Sequence, residues 1–124
     1  MLLFQAGSAG QLLAAERAEQ RILQYERKYA SNDKVRVAVI GCGIMGHQDL
    51  RTALKVPGVE LAGACDLYNG RLDRMKEMYG KDLFTTRDYR ELLQRKDVDA
   101  VIIATSDHFH ARISTDALKS GKHV

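Results

Sequence analysis

Three closely spaced glycines, Gly41, Gly43 and Gly46, follow an apolar run at 35–40 and have the spacing of a turn that binds a pyrophosphate. In such a turn the first glycine allows the chain to leave a strand sharply, and the second has no Cβ to block the pyrophosphate. The third lets the next helix pack close to the strands. The ligand would lie on the free N–H groups at the positive end of that helix. We therefore predict one half of a cofactor site, comprising Gly41, Cys42, Gly43, Ile44, Met45 and Gly46.

An acidic residue, Asp66, stands 20 residues after Gly46 and directly follows a second apolar run, 59–65. An acid at this place accepts hydrogen bonds from the hydroxyls of an adenine ribose and repels a 2′-phosphate. Because strand, glycine turn, helix and acid occur in the required order, the pattern favours a dinucleotide site over a purely structural glycine turn. We expect NAD to be preferred over NADP, a preference that Arg71 and Arg74 on the next helix would reduce.

A second polar group, at 105–110, directly follows another apolar run, 99–104. In open parallel sheets, ligands bind outside the carboxyl ends of strands, near the point where the strand order reverses. The loop should therefore face the glycine turn across a crevice. Its hydroxyls, N–H groups and imidazole add Thr105, Ser106 and His110 to the predicted cofactor site.

Other polar residues nearby have simpler interpretations. Asp107 is placed to cap a helix, His108 is typical of a solvated loop, and His47 stands at the start of a helix. His108 and His110 have no carboxylate or cysteine partner at ligand spacing, so no metal site is predicted.

The elements that must position these residues alternate between strand and helix. The first predicted helix, 44–56, ends before a Pro-Gly pair. Repeated strand–helix units with continuous apolar strands indicate an α/β fold, a Rossmann-type doubly wound parallel sheet with helices on both faces. Strands are predicted at 35–40, 59–65, 83–85 and 99–104, the last one fully buried.

The later helices have recognisable start signals. Asn69 is predicted to cap one helix, and Asp88 with Glu91 has the spacing of a capping box. In the last helix the spacing predicts that Ile113, Ala117 and Leu118 point inward. The chain stops where a fifth strand is expected to begin, so we expect the sheet to be truncated there.

Residues 1–33 differ from the rest of the chain. From 11 to 29 there is no glycine or proline, which predicts an N-terminal amphipathic helix followed by a short linker. We expect this helix to pack on its own domain or on a missing one. Self-association is the less favoured alternative, because two alanines in the apolar seam bury little. The seam comprises Ala15, Ala18, Ile22, Tyr25 and Tyr29.

Composition narrows the class of protein. The 124 residues carry a net charge of +3, from 19 basic and 16 acidic side chains. Since no basic block or apolar run of spanning length occurs, we expect neither a nucleic-acid nor a membrane partner. The two cysteines, Cys42 and Cys65, are predicted to be buried free thiols. The start lacks the basic region of a complete signal peptide, so we expect a cytoplasmic protein, or an exported one if an upstream signal was trimmed.

Three segments resemble the amino-terminal half of the glucose–fructose oxidoreductase / inositol dehydrogenase / MocA family: VRVAVIGCGIMG, ELAGACD and DAVIIATSDHFHARISTDALKSGKHV. The resemblance covers 34–124, and its most specific part is the block from 104 to 124. Ser106 replaces the family's usual proline and Asp107 stands where asparagine is common, so we expect a somewhat different loop geometry.

The resemblance implies that 34–124 form an NAD(P)-binding Rossmann domain, followed in the family by a larger domain. That domain holds a sugar, polyol or related substrate for hydride transfer and often mediates homo-oligomerisation. The family's catalytic lysine lies in an E-K-P motif just after G-K-H-V, whereas Lys122 corresponds to a structural lysine. The chain ends before that motif, so no catalytic residue is predicted. The alternatives are a non-catalytic dinucleotide-sensing or interaction module, or a fragment without activity of its own.

Overall fold

The computed structural model describes residues 10–11, 13–19 and 33–124. The chain divides into two units between residues 33 and 34. In the first unit, 10–11 and 13–19 are helical, in agreement with the start of the predicted amphipathic helix. The rest of that helix and most of the linker lie outside the described residues. Within the described ranges, no helix is both long and apolar enough to cross a membrane.

The second unit is built on four strands, β1 (Val35–Ile40), β2 (Val59–Cys65), β3 (Phe84–Thr86) and β4 (Ala100–Ile103). They form a parallel sheet in the order β3-β2-β1-β4. The chain moves from β1 outward to β2 and β3, and then returns to pair β4 with the other side of β1. The strand order therefore reverses between β1 and β4, as predicted, and the first two strands have their predicted bounds.

Helices cover both faces of this sheet. One face buries Leu50 together with Leu72 and Met75, and the opposite face buries Leu92 and Ile113. These two apolar layers confirm the predicted doubly wound α/β architecture. The helices are α1 (Ile44–Leu54), α2 (Asn69–Tyr79), α3 (Tyr89–Gln94) and α4 (Asp107–Lys119).

Two predicted helix starts differ in detail. Asn69 is the first residue of α2 rather than its cap, because the backbone N–H of Tyr68 is already held by Asp66 (2.9 Å) and the helix begins one residue earlier. Asp88 does cap α3, accepting from the N–H of Arg90 at 3.0 Å. The capping box does not form, since Glu91 accepts from the Thr86 hydroxyl instead, at 2.8 Å.

The predictions of inward-facing residues near the end of the chain were partly wrong. In β4 only Val101 is buried, because this strand is the outermost one of the described sheet. Its remaining edge begins to pair with His123, whose C=O accepts from the N–H of Val101 at 2.8 Å. Leu118 is 63% exposed, since Ile113 and Ala117 already form the inward stripe of α4 and Leu118 lies about 100° further round the helix.

Candidate functional site

A cleft of about 400 Å³ opens at the carboxyl ends of the strands. This is the edge at which α/β sheets bind ligands, next to the point of strand reversal. Five of the ten predicted cofactor-binding residues line it, namely Gly41, Gly43, Asp66, Thr105 and Ser106.

Two glycines of the turn are required by the fold itself. Gly41 has a φ of 96°, and a Cβ there would lie 2.6 Å from the backbone carbonyl of Ala104. A Cβ on Gly46 would overlap the carbonyl oxygen of Gly41. The strands and α1 therefore approach too closely at both positions for any side chain, which agrees with the turn and packing roles predicted for them.

Gly43 is different, because its backbone is extended (φ −81°) and no backbone atom lies near its open side. An added Cβ would meet only the guanidinium of Arg71, with Cζ and Nη1 each at 3.7 Å. The fold does not need a glycine here, whereas a ligand that approaches the backbone closely does. The open face of Gly43 thus fits the predicted pyrophosphate contact.

The first turn of α1 adds backbone donors to this face. Its first intrahelical bond runs from the N–H of His47 to the carbonyl of Gly43, at 3.1 Å. The N–H groups of the preceding helical residues therefore have no partner within the helix. Ile44 and Met45 are 80% and 58% exposed, and neither side chain lines the cleft, so any contact they make with a ligand there runs through the backbone.

Asp66 has a structural role that the sequence analysis missed. Its side chain is only 4% exposed, and each carboxylate oxygen accepts a backbone N–H: Cys42 to Oδ2 at 2.8 Å and Tyr68 to Oδ1 at 2.9 Å. The second bond is an Asx turn, which an aspartate two residues before a helix cap could have indicated. The carboxylate therefore joins the end of β2 to the glycine turn. Its Oδ2 also accepts from Arg71 at 3.4 Å, so the spare acceptor capacity is at Oδ1, since each oxygen can accept about two bonds.

Cys42 contributes differently from its neighbours in the turn. Its side chain is buried, its N–H is taken by Asp66, and its thiol donates to the carbonyl of Cys65 at 3.5 Å. Burial, reinforced by the Asp66 carboxylate, raises the pKa of Cys42 to about 12. Burial likewise raises the pKa of Cys65 to about 12. Both thiols stay protonated and free, as predicted, and neither has the low pKa of a reactive cysteine.

The loop before α4 forms the opposite wall of the cleft through Thr105 and Ser106. Ser106 is the N-cap residue of α4 and makes no side-chain cap bond. His110 is not a lining residue; its Nε2 lies 2.8 Å from the carbonyl oxygen of Thr105 and donates to it. It therefore fixes the loop from behind. Asp107 and His108 both lie in the first turn of α4, so His108 is helical rather than in a loop.

His47, at the start of α1, is partly buried and does not line the cleft. Burial lowers the pKa of His47, with Arg74 and Arg51 adding to the effect. Its Nδ1 is buried without a hydrogen-bond partner. Within residues 10–11, 13–19 and 33–124, no three potential ligand side chains come together as a metal site.

Several residues that line the cleft were not predicted as site residues. Arg71 lies in the first turn of α2, and Arg87 directly follows β3. Arg87 directly follows the carboxyl end of a strand, and Arg71 lies in the first turn of the helix that follows one, which is the signal that could have identified them. The two guanidinium groups give this mostly apolar cleft a positive character that suits an anionic ligand. The other additions are Ile40, Cys65, Leu67, Tyr68, Tyr89, Ala104, Phe109 and Ile113.

Comparison with known proteins identifies the family of this chain. Residues 35–124 match the family model of the Gfo/Idh/MocA oxidoreductases, described as an NAD-binding Rossmann fold. The chain belongs to this family. The match confirms the resemblance found in the sequence and extends over nearly the whole second unit.

Individual Gfo/Idh/MocA relatives are several times longer than this chain. An alpha-N-acetylgalactosaminidase of Shewanella oneidensis is 39% identical over 98 residues, covering 73% of this chain and 21% of the relative. An inositol 2-dehydrogenase of Salmonella paratyphi B is 34% identical over 91 residues, covering 73% and 27%. The chain thus spans about a quarter of the length of these relatives.

A solved structure has the same fold. KijD10, a 3-ketoreductase from Actinomadura kijaniata in complex with NADP and TDP-benzene, matches with a TM-score of 0.66 and 33% identity. The match covers 73% of this chain and 28% of KijD10. The Gfo/Idh/MocA Rossmann domain is therefore an NAD(P)-binding domain, and solved members include NADP complexes.

Proposed function

We propose that residues 34–124 bind a nicotinamide dinucleotide in the cleft, with NAD preferred over NADP. The glycine turn would hold the pyrophosphate, Asp66 the adenine ribose, and the loop before α4 the nicotinamide half. When bound, the nicotinamide accepts or donates a hydride. The residues proposed for this site are the ones predicted from the sequence: Gly41, Cys42, Gly43, Ile44, Met45, Gly46, Asp66, Thr105, Ser106 and His110. Of these, Cys42 and His110 would act by holding the glycine turn and the loop in place.

The observation that carries the NAD preference is the environment of Asp66. Its carboxylate is nearly buried, and both oxygens accept backbone N–H bonds, so the group is fixed in place at the edge of the cleft. A ribose 2′-hydroxyl can donate to it, whereas a 2′-phosphate would bring a like charge against it.

Titration calorimetry of the chain with NAD and with NADP tests this preference. Replacing Asp66 by Ser keeps a small acceptor for the N–H groups but removes the charge, so the ratio of the two dissociation constants should move towards one. Asp73, exposed on α2, provides the matched control, and Asp73→Ser should leave the ratio unchanged. Tighter binding of NADP than of NAD by the unmodified chain would refute the preference.

For the whole protein we propose hydride transfer between the cofactor and a sugar, polyol or related compound bound by a further domain. Two of the similar proteins, the inositol 2-dehydrogenase and the 3-ketoreductase KijD10, are named for redox reactions. Their names favour this proposal over a non-catalytic sensing module. Among the described residues, the cleft is lined by no lysine or histidine, and His110 is committed to Thr105. We therefore expect the 124-residue chain to bind cofactor without reducing it in the presence of a polyol panel. NADH formation above background would contradict this.

We also propose that the protein is cytoplasmic. The two free, buried thiols support this location, because exported proteins tend to form disulfides. Cell fractionation of the full-length protein tests it, and recovery from the periplasm would overturn it.

A further inference from the structure

Arg71 occupies the place where the parts of the cofactor site meet. Its guanidinium lies 3.7 Å from the position that a Cβ of Gly43 would take. The same group is 3.4 Å from Oδ2 of Asp66 and 4.9 Å from the ring centre of Tyr68. A single side chain from α2 therefore covers both the open glycine and the buried carboxylate.

This arrangement must change if a ribose is to reach Asp66. The carboxylate is only 4% exposed, and one of its oxygens already holds both Arg71 and the N–H of Cys42. The ion pair is long, since charged N–H···O bonds usually measure about 2.7–2.9 Å. Arg71 is also 51% exposed, so the pair is weakened by solvent and readily exchanged.

We propose that Arg71 binds the pyrophosphate of the dinucleotide over Gly43, giving up its bond to Asp66 as the ribose takes that place. The inference rests on the proposed cofactor binding. The guanidinium already lies in contact with the space above Gly43, so only a small shift is needed. A planar guanidinium also pairs with two phosphate oxygens at once. It supplies a positive charge, which backbone N–H groups alone do not, to balance the negative charge of the pyrophosphate.

The proposal changes the expected effect of Arg71 on selectivity. The sequence suggested that this cation reduces the preference for NAD, as a ligand of the 2′-phosphate would. If Arg71 instead binds the pyrophosphate, it raises the affinities for NAD and NADP equally, because both cofactors contain the same diphosphate. The ratio of their affinities therefore separates the two roles.

The test compares Arg71→Gln with Arg74→Gln by titration with NAD, NADP and adenosine. Arg74 lies on the same helix, is exposed and does not line the cleft, so the effect on cofactor preference expected for it from the sequence has no support in the geometry and it serves as the control. Arg71→Gln should weaken NAD and NADP by the same factor, roughly ten-fold for the loss of one charged hydrogen-bond pair. Adenosine, which has no phosphate, should bind within about two-fold, and Arg71→Lys should keep part of the affinity. Arg74→Gln should bind all three like the unmodified chain.

Each other result overturns the inference in a recognisable way. Unchanged or tighter NAD binding by Arg71→Gln would make Arg71 only a cover over Asp66. A selective loss of NADP would make it a 2′-phosphate ligand, and an equal loss of adenosine would mean that it acts through Asp66. If the unmodified chain binds neither dinucleotide, the proposed function itself fails; if it binds both and Arg71→Gln binds them equally well, the inference alone fails. Equal melting temperatures of the variants exclude misfolding as a cause.

Discussion

Two clefts of about 400 Å³ each lie at opposite edges of the same sheet. At the edge formed by the amino ends of the strands, two arginine–aspartate pairs are each held by more than one bond. Arg36 holds Asp99 through Nε and Nη2 at 3.1 Å and through its backbone N–H at 2.8 Å. Arg95 holds Asp97 through two bonds of 2.8 and 2.7 Å.

The carboxyl-end cleft shows the opposite pattern. Among the described residues, the ion pair in this cleft, Arg71 with Asp66, is a single bond of 3.4 Å, and the serine that caps α4 has no cap bond. The glycine at its centre has room for a side chain that it does not carry. The two clefts are similar in volume, so the difference between them is that the polar groups at the carboxyl end are less firmly paired.

Replacing Gly43 by Val should have the largest effect at the carboxyl-end cleft. The new methyl groups would occupy the space proposed for the pyrophosphate, lowering NAD affinity by at least roughly 100-fold through a direct steric clash. The backbone at Gly43 tolerates a side chain, so the fold should persist. Calorimetry measures the affinity, and circular dichroism with thermal melting checks the fold.

A matched change supplies the control for that experiment. Gly70, in the first turn of α2, has no atom within 4 Å of an added Cβ, so Gly70→Val should bind NAD like the unmodified chain. Undiminished NAD binding by a folded Gly43→Val would remove the proposed difference between the two clefts.

At the amino-end edge, Lys122 should matter for stability and not for binding. Its ammonium group donates to the carbonyls of Arg95 at 2.7 Å and of Val98 at 2.8 Å. Lys122→Met keeps most of the aliphatic volume but leaves two partly buried carbonyls without this donor, which should cost about 1–3 kcal/mol of unfolding free energy. Urea unfolding measures the loss, while NAD affinity should stay within about two-fold.

The exposed Lys119, at the end of α4, gives the comparison variant. Lys119→Met should leave the unfolding free energy nearly unchanged. A Lys122→Met variant as stable as Lys119→Met would show that the amino-end edge is not held together by these bonds.

The sequence was most informative where structure depends on the backbone and on short-range order. The first two strands, the glycine turn and the position of Asp66 follow from an apolar run, a required close approach and the order of the elements. Gly41 and Gly46 bear this out, since neither position has room for a Cβ.

The sequence was least informative where distant residues meet. The Asx turn at Asp66 moved the start of α2, and the Thr86 hydroxyl drew Glu91 away from the predicted capping box. Arg71 could be placed on a helix but not over Gly43, because that contact joins two elements through the fold. The prediction that Leu118 is buried was wrong because helical periodicity gives the direction of the apolar face of a helix but not how wide a part of that face is buried.

The smallest expected effect concerns pH and the amino-end edge. The Arg36 side chain, together with the Arg36 N–H, lowers the pKa of Asp99 below its ordinary value of 3.8. A carboxyl group with a lowered pKa in the folded state stabilises the protein above its ordinary pKa, and this contribution is lost as the pH falls through the folded pKa. Asp99→Asn should therefore be slightly less stable than the unmodified chain at pH 7, and the difference should shrink as the pH falls below about 4.

Because both side chains of the Arg36–Asp99 pair are more than a third exposed, solvent screening keeps the effect small. Asp73→Asn controls for the loss of one negative charge. Urea unfolding at pH 7, 5 and 3 measures the difference, and a constant gap across this range would show that packing, rather than the ion pair, accounts for the role of Asp99.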